Sequence, residues 1–339
     1  MVACTGMQTT VLGAGAFGTA LAIQLARQGH RTRLWARRED WVLELERTRM
    51  NARYLAGAAF PETLHAESSL SAALAGAELV VLAIPSQGTR EVVTAAKHLL
   101  DGPVICCASK GIEKGTLMLL SEVMLDVLGP AATPRLTYLS GPSFAKELVE
   151  FVPTAVTVAG VEPRSTGLVQ GAFSSQTMRV YATEDVIGVE VGGALKNVVA
   201  IAAGIVDGLG FGLNCRAALM TRGLAEIGRL AMKMGGDPMT LAGLAGVGDL
   251  VLTCTGNLSR NRTVGFELGL GRTLPEILSS LGHVAEGVET TKSAYQLSQK
   301  LGIELPITEE VYRVLYENKP ARQAALDLMG RPLKHEQER

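Results

Sequence analysis

The chain has 339 residues, which is enough for two domains of ordinary size. Hydrophobic residues make up 47% of it and charged residues 19%, a balance that excludes intrinsic disorder. The formal net charge is −1, so no overall field attracts nucleic acid or an anionic membrane surface. We therefore expect a globular protein with no nucleic-acid partner and no stable membrane insertion.

The cysteines and the first residues indicate a cytoplasmic protein. No pair of cysteines has the spacing of metal ligands, so we expect reduced thiols in a reducing compartment and no metal site. The first residues lack the basic and apolar segments of a secretion signal. The most apolar long stretch, 186–213, contains Glu190, Lys196 and Asp207, and this predicts a buried core helix rather than a membrane span. The cysteines are Cys4, Cys106, Cys107, Cys215 and Cys254.

Short apolar runs alternate with helical patterns up to about residue 185. This alternation predicts a Rossmann-like, doubly wound α/β domain with a mainly parallel sheet and helices on both faces. The predicted strands are 9–12, 31–36, 79–84, 104–108, 136–139, 155–158 and 178–181.

The pattern changes to consecutive helices after residue 185, which predicts an all-α second domain. Glycine-rich turns separate the helical stretches. We expect a dinucleotide-binding domain over 1–187 and a helical substrate and catalytic domain over 188–339. The clearest predicted helices are 189–206, 216–234, 274–278 and 290–300.

A GxGxxG pattern follows the first predicted strand and precedes a helical stretch, 19–23. In that context the pattern is typical of a dinucleotide site. Gly13 permits a tight turn, Gly15 lets the backbone approach a pyrophosphate, and Gly18 lets helix and strand pack closely. An ordinary glycine turn is the alternative interpretation.

Arg37 and Arg38 stand at the end of the second strand, where an NAD site usually carries an acidic residue. Guanidinium groups suit a 2′-phosphate through charge-assisted bonds, so we expect NADP(H) to be preferred and NAD(H) to be possible. Alternatively, both arginines are solvated loop charges.

Polar and small residues follow two further strands, at the carboxyl edge where open α/β sheets bind ligands. Lys110 comes directly after a buried strand, although a surface lysine is an equally open interpretation. The segment 140–145 begins Ser-Gly-Pro-Ser, which would let a ligand approach closely or would form a turn capped by Ser143.

Lys196 and Asn197 fall in the middle of the most apolar predicted helix. A lysine there is rare unless it is paired or lines a cavity, and its neighbours three and four residues away are small. Burial would lower its pKa towards neutrality, as a general acid or base requires. The alternative is a lysine whose ammonium reaches the surface.

Two segments further along could complete a site for an anionic substrate. Asp249 and Thr253 are four residues apart, hence on one helical face, and Asp249 could hold the lysine or a substrate hydroxyl. Ser259 and Arg260 open another helix, where the guanidinium and the backbone N–H groups would bind a phosphate. Asp249 could instead only complement a helix dipole, and Ser259 could only cap its helix.

These features together indicate hydride transfer between a nicotinamide cofactor and a carbonyl or alcohol. At this point the chain resembles the bacterial-type NAD(P)-dependent glycerol-3-phosphate dehydrogenase family over nearly its whole length. The segments that carry the resemblance are 13–22, ASKGIE at 108–113, SGPSFAKE at 140–147, VGGALKNVVAIAA at 191–203, RAALMTRGLAE at 216–226, GVGDLVLTCT at 246–255, SRNR at 259–262 and EG at 286–287.

The resemblance implies reversible reduction of dihydroxyacetone phosphate to sn-glycerol 3-phosphate, which supplies phospholipid synthesis. Lys196 would be the proton donor and acceptor, and Asp249 and Asn197 would orient it. Substrate contacts would come from Lys110, Gly141, Ser143, Asp249, Thr253, Ser259, Arg260 and Asn261. Cofactor contacts would come from Ala16, Phe17, Arg37, Arg38, Lys110, Ala145, Arg260, Val284 and Glu286.

This sequence departs from the family pattern at three positions. Ala16 and Phe17 stand where the family commonly has a serine and a tryptophan or tyrosine, which would weaken a cofactor contact without abolishing it. Gly256 stands where an aspartate is usual.

Two other functions fit parts of the sequence. A β-hydroxyacid dehydrogenase would combine the same domains with a carboxylate substrate, which Arg260 could also bind. A non-catalytic NADPH-binding module would need no buried lysine, and Lys196 counts against it. We also expect a homodimer, because helical domains of this kind often pair.

Overall fold

An eight-stranded sheet forms the N-terminal half of the protein. The computed structural model describes residues 6–281, 285–333 and 335–336. The strand order is β3-β2-β1-β4-β5-β6-β7-β8, and every neighbouring pair is parallel except β6 and β7. The strands are β1 (Gln8–Leu12), β2 (Arg31–Trp35), β3 (Leu64–Glu67), β4 (Leu79–Leu82), β5 (Val104–Cys107), β6 (Leu136–Ser140), β7 (Thr154–Ala159) and β8 (Met178–Thr183).

Helices cover both faces of this sheet, as the alternating pattern predicts. Neighbouring residues of one strand belong to different hydrophobic clusters: Val11 packs on one face and Leu12 on the other. Both faces of the parallel strands are therefore buried, which explains their continuous apolar runs. The covering helices are α1 (Ala16–Arg27), α2 (Glu39–Thr48), α3 (Leu70–Leu74), α4 (Thr89–Ala96), α5 (Leu120–Leu128), α6 (Ala145–Val149) and α7 (Pro163–Phe173).

The strand order reverses direction between β1 and β4. From β1 the chain moves outward through β2 and β3, then returns to place β4 on the other side of β1. In open α/β sheets the ligand crevice lies at such a reversal, outside the carboxyl ends of the strands. The sheet thus places a crevice beside the glycine-rich loop that follows β1.

The remainder of the described chain is helical and is arranged around α8 (Val186–Gly208). By length and hydropathy α8 could cross a membrane, but 83% of its most apolar window is buried inside the protein. It is a buried core helix, as its charged residues predict. The others are α9 (Gly212–Lys233), α10 (Asp249–Thr255), α11 (Arg260–Gly269), α12 (Leu274–Leu281), α13 (Glu286–Leu301), α14 (Pro306–Tyr316) and α15 (Ala321–Met329).

Glycines let α8 and α11 run side by side at backbone contact. A Cβ on Gly265 would lie 1.9 Å from the carbonyl oxygen of Ile201, and a Cβ on Gly204 would lie 2.1 Å from that of Arg262. No larger residue fits at these positions unless the helices separate. The same pairing brings the first residues of α11 level with the middle of α8.

Candidate active site

The loop between β1 and α1 has the shape that a dinucleotide pyrophosphate requires. A Cβ on Gly18 would lie 1.9 Å from the carbonyl oxygen of Gly13, so strand and helix touch there. A Cβ on Gly15 would meet nothing within 4 Å, so this glycine faces open space. Gly15 also precedes the twelve-residue helix α1 and makes no side-chain cap to it. The N-terminus of α1 is thus suited to bind an anion.

Asn51 fixes this loop from outside the GxGxxG pattern. Its buried side-chain amide donates hydrogen bonds to the carbonyl oxygen of Ala14, at 2.9 Å, and to the hydroxyl of Thr19, at 2.7 Å. Asn51 could not be predicted from the sequence, because an isolated asparagine between two elements carries no recognisable pattern.

Arg37 and Arg38 lie at the exposed end of β2, and each faces a carboxylate. The guanidinium of Arg37 lies 3.3 Å from Glu91, with side-chain exposures of 64% and 70%. Arg38 pairs with Asp40, and this pairing raises the pKa of the arginine and lowers that of the aspartate. Both guanidinium groups face solvent, so a 2′-phosphate and a solvated charge pair are equally compatible with their position.

The other predicted cofactor residues are divided between three helices and a region that is not described. Ala16 and Phe17 are the first residues of α1, and Phe17 packs against a core cluster of the sheet. Ala145 begins α6, which packs against α1. Glu286 begins α13, whereas Val284 lies outside the described residues.

Three charged side chains meet where the sheet joins the helical half. The carboxylate of Asp249 accepts a hydrogen bond from the Lys110 ammonium at 2.6 Å through one oxygen, and from Lys196 through the other. Lys196 also donates to the hydroxyl of Thr253 at 3.0 Å. The side chains of Lys110, Lys196 and Asp249 are 13%, 10% and 2% exposed. The alternatives of a surface Lys110 and of a Lys196 that reaches solvent are therefore wrong.

Burial and charge act in opposite directions on this cluster. Burial lowers the pKa of Lys196 to about 8, against the attraction of Asp249. Burial alone would raise the pKa of Asp249, but the ammonium groups of Lys110 and Lys196 outweigh it and keep that pKa below its ordinary value. The result is a carboxylate that stays ionised and a lysine that can exchange a proton near neutral pH.

The glycines of the second half place Asp249 opposite Lys196. Residues Leu244–Gly248 form a π-helical turn that leads directly into α10, and Asp249 is the first residue of that helix. A Cβ on Gly192 of α8 would lie 2.7 Å from the carbonyl oxygen of Ala245, so the turn rests directly on α8. The segment GVGDL thus places the carboxylate of Asp249 beside the ammonium of Lys196.

The start of α11 lies beside this cluster. Ser259 caps the helix by accepting from the N–H of Arg262 at 3.2 Å, whereas Arg260 is exposed. Asn261 accepts from the N–H of Gly287 at 3.0 Å and so joins α11 to α13. Burial raises the pKa of Glu286, while Arg260, Lys110 and Lys196 oppose it, so this carboxylate lies within electrostatic reach of all three cations.

Two other predicted residues, Gly141 and Ser143, lie just after β6. Gly141 has φ +129°, and a Cβ there would lie 2.9 Å from the Cα of Val156, so only glycine suits this turn. The hydroxyl of Ser143 donates to the carbonyl oxygen of Gly141 at 3.0 Å. Ser143 is not a helix cap, because the capping position of α6 is Phe144.

Gly256, one departure from the family pattern, has a packing reason. A Cβ at this position would lie 2.5 Å from the ring of Phe144. Any larger residue would therefore require the ring to move. Gly256 therefore allows the loop after α10 to pack closely against the segment before α6.

The sequence-predicted residues thus fall into groups. The lysine–carboxylate group comprises Lys110, Lys196, Asp249 and Thr253. Glu286 lies within electrostatic reach of its two lysines and of Arg260, while Ser259 and Asn261 belong to the start of α11. Asn197 is buried on α8, and its carbonyl oxygen faces Gly287 of α13, where a Cβ would lie 2.8 Å away. The glycine loop and the exposed arginines at β2 lie at the amino-terminal strands of the sheet.

Comparisons with known proteins identify the family of this chain. The models for the N-terminus and the C-terminus of NAD-dependent glycerol-3-phosphate dehydrogenase match residues 8–165 and 185–326. The chain is 54% identical over 331 residues to glycerol-3-phosphate dehydrogenase [NAD(P)+] of Anaeromyxobacter sp. strain K, covering 97% of this chain and 100% of that protein. It is 53% identical to the protein of that name from Geobacter sp. strain M21, over 96% of this chain and 98% of the other.

Solved structures give the same result. The crystal structure of glycerol-3-phosphate dehydrogenase from Coxiella burnetii matches with a TM-score of 0.92 and 43% identity, covering 96% of this chain and 99% of that one. The enzyme from Saccharomyces cerevisiae matches with a TM-score of 0.82 and 28% identity, over 96% of this chain and 100% of the other. The chain therefore belongs to the NAD-dependent glycerol-3-phosphate dehydrogenase family.

Proposed function

We propose that this protein catalyses the reversible reduction of dihydroxyacetone phosphate to sn-glycerol 3-phosphate with NADPH or NADH. The observation that carries the proposal is the buried Lys196–Asp249–Lys110 cluster beside the dinucleotide-binding edge of the sheet. A cofactor bound there supplies the hydride for the C2 carbonyl carbon. The residues of the chain supply the proton and hold the substrate.

Lys196 is the proposed general acid. Its ammonium donates a hydrogen bond to the C2 carbonyl oxygen and transfers the proton as the alkoxide forms. The pKa of about 8 leaves the residue largely protonated at neutral pH while keeping the proton easy to release. In the reverse direction neutral Lys196 accepts the hydroxyl proton. Positioned acid–base help of this kind contributes roughly 10²–10⁴ in rate.

The neighbours of Lys196 keep it in place. Asp249 fixes the ammonium through one carboxylate oxygen, and Thr253 accepts a second hydrogen bond at 3.0 Å. Lys110 holds the other oxygen of Asp249 and adds positive charge where the alkoxide develops. Asn197 is the next residue of α8, and we propose that it helps to orient Lys196 or the substrate.

The start of α11 is the proposed phosphate site. Arg260 is exposed there and can form a bidentate pair with phosphate, while the helix N-terminus offers backbone N–H groups. The small residues after β6 would let the substrate approach the sheet. The proposed substrate-binding residues are Lys110, Gly141, Ser143, Asp249, Thr253, Ser259, Arg260 and Asn261.

The proposed cofactor site extends from the glycine loop to α13, with NADP(H) preferred through Arg37 and Arg38. In this arrangement residues 1–187 bind the dinucleotide and residues 188–339 supply most of the acid–base and phosphate groups. The proposed contacts are Gly13, Gly15, Ala16, Phe17, Gly18, Arg37, Arg38, Lys110, Ala145, Arg260, Val284 and Glu286.

We also propose a cytoplasmic homodimer that supplies glycerophospholipid synthesis. The family and the reduced cysteines support a cytoplasmic place, and four of those thiols, Cys106, Cys107, Cys215 and Cys254, are free. Light scattering of the purified protein tests the dimer directly: a mass twice that of the 35.7 kDa chain is expected.

A substrate panel distinguishes this function from its alternatives. We expect NADPH and NADH absorbance to fall with dihydroxyacetone phosphate and to stay constant with a β-keto acid or with no substrate. Oxidation of cofactor by the β-keto acid alone would instead support a β-hydroxyacid dehydrogenase. Cofactor binding without turnover of either substrate would support a binding module.

A further inference from the structure

A small cavity lies behind the lysine–carboxylate cluster, between the sheet and α8. Its volume is about 10 Å³, which is close to the smallest space that holds one water molecule. Lys110, Ser140, Glu190 and Gly193 form part of its wall. Of these, Ser140 and Glu190 have no role in the mechanism described above.

Two buried polar atoms that line this cavity lack a hydrogen-bond partner within the described part of the chain. They are the hydroxyl oxygen of Ser140 and one carboxyl oxygen, Oε2, of Glu190. The other carboxyl oxygen of Glu190 accepts from the N–H of Ser121 at 3.0 Å. Buried polar groups nearly always have a partner, and a cavity of this size between two such groups is suited to a single water molecule.

The side chain of Lys110 passes this cavity on its way to Asp249. A Cβ on Gly193 would lie 3.0 Å from the hydroxyl oxygen of Ser140 and 3.5 Å from Cδ of Lys110. Glu190 and Gly193 are three residues apart on α8 and therefore share one helical face. The ammonium of Lys110 has three donors, and the Asp249 contact uses one of them.

We propose that Glu190 is a positioning residue of the active site: with Ser140 it binds water in this cavity, and that water holds the ammonium of Lys110 against Asp249. The inference rests on the function proposed above. It assigns to Glu190 a role that is separate from the proposed substrate and cofactor contacts.

The surroundings of Glu190 make its protonation state, and hence its proposed role, dependent on pH. Burial raises its pKa to about 7, hydrogen bonding by Ser121 opposes the shift, and Glu122 of α5 adds to it. Cys107 and Tyr138 also line the cavity, and Lys110 is the cation among its lining residues. The carboxyl is thus neutral below neutral pH and becomes an anion above it.

The new anion then competes with Asp249 for the ammonium of Lys110. Lys110, drawn away from Asp249, then adds less positive charge where the alkoxide develops, and reduction slows. The rate of reduction should therefore decline in two overlapping steps, the first near pH 7 from Glu190 and the second near pH 8 from Lys196.

The test is the pH profile of kcat/KM for dihydroxyacetone phosphate in wild type and in Glu190→Gln. The amide keeps the shape of the carboxyl and is neutral at every pH. At pH 6 we expect the variant to remain within about threefold of wild type. Its decline should begin at a higher pH than that of wild type, because only the step from Lys196 remains.

Glu226→Gln is the matched control. Glu226 is another buried glutamate whose pKa burial raises to about 7, and it accepts from the N–H of Ile307 at 2.6 Å, at the start of α14. Its substitution should lower the melting temperature and leave the pH profile unchanged. A purely structural role of Glu190 would give the same result as this control.

Ser140→Ala gives a second, independent test, because it removes only one hydroxyl. We expect kcat/KM for dihydroxyacetone phosphate to fall about three- to tenfold with no change in KM for NADPH. A wild-type pH profile in Glu190→Gln would overturn the proposal, and if Glu190→Gln does not fold, an unchanged kcat/KM in Ser140→Ala would overturn it instead. A wild type that does not reduce dihydroxyacetone phosphate would overturn the proposed function instead.

Discussion

Lys196 and Asp249 form an ion pair that is almost fully buried between α8 and α10, with side-chain exposures of 10% and 2%. An unpaired charge in such a place would cost several kcal/mol, roughly, so each residue permits the burial of the other. Lys110 reaches the same carboxylate from the end of β5. The cluster therefore joins the sheet that binds the cofactor to the helices that supply the acid.

Asp249→Asn should shift the alkaline decline of the reduction to lower pH. The amide removes the charge that opposes burial, so the pKa of Lys196 should fall below its value of about 8 and less ammonium should be present at any pH. We expect kcat to fall roughly tenfold to a hundredfold at neutral pH. The measurement is kcat against pH.

Thr253→Val is the control for this change, because it removes one acceptor from Lys196 and leaves the charges intact. Its kcat should fall by only a few-fold, roughly. An Asp249→Asn profile that coincides with that of wild type would show that Asp249 does not set the protonation of Lys196.

Arg260→Gln should weaken substrate binding. Loss of a charge-assisted pair with the phosphate costs about 1.5–3 kcal/mol, which corresponds to roughly ten- to a hundredfold in KM for dihydroxyacetone phosphate. Arg262→Gln is the control, because Arg262 pairs with Asp207 at 2.7 Å and so joins α11 to α8. That variant should have a lower melting temperature and an unchanged KM for dihydroxyacetone phosphate. A raised KM in Arg262→Gln together with an unchanged KM in Arg260→Gln would contradict the proposed phosphate site.

The double variant Arg37→Gln, Arg38→Gln should separate the two cofactors. Loss of contacts to a 2′-phosphate would raise KM for NADPH roughly tenfold or more and leave KM for NADH within about threefold. Steady-state kinetics with each cofactor give both values. If neither KM changes, the arginines are solvated loop charges that pair with Glu91 and Asp40.

Gly15→Ala and Gly18→Ala should fail in different ways. A methyl group at Gly15 meets no protein atom within 4 Å, so the protein should fold normally while the pyrophosphate loses close backbone contact, at a cost of about tenfold in cofactor affinity. A methyl group at Gly18 would lie 1.9 Å from the carbonyl oxygen of Gly13, so strand and helix must separate. The melting temperature should fall sharply in that variant alone. Calorimetry and cofactor titration of both proteins check the pair.

Seven of the eight strands could be predicted from the sequence, with limits that agree with the structure to within two residues. The central strands β4 and β5 are continuous apolar runs, whereas β2 carries two arginines and β8 carries one among its apolar residues. The strand that was missed, β3, reads Leu-His-Ala-Glu and lies at the edge of the sheet with only its leucine buried. A short edge strand with one buried residue has no periodic signal.

The site could be predicted only residue by residue. A lysine inside an apolar helix is conspicuous, so Lys196 was a candidate, but its contact with Asp249 spans 53 residues and that of Lys110 spans 139. Only the fold brings such distant positions together. Glu190 gave the same signal as Lys196, an ionisable residue in an apolar helix, and served only to exclude a membrane span. Ser140 has no signal of its own, because one serine at a strand end fits many turns.

The most direct test of the account is the reduction of dihydroxyacetone phosphate by wild type and by Lys196→Ala, with NADPH binding measured on both proteins. We expect wild type to oxidise NADPH and the variant to lose roughly a hundredfold or more in kcat while it binds NADPH with unchanged affinity. A variant that keeps its kcat would contradict the assignment of Lys196 as the general acid.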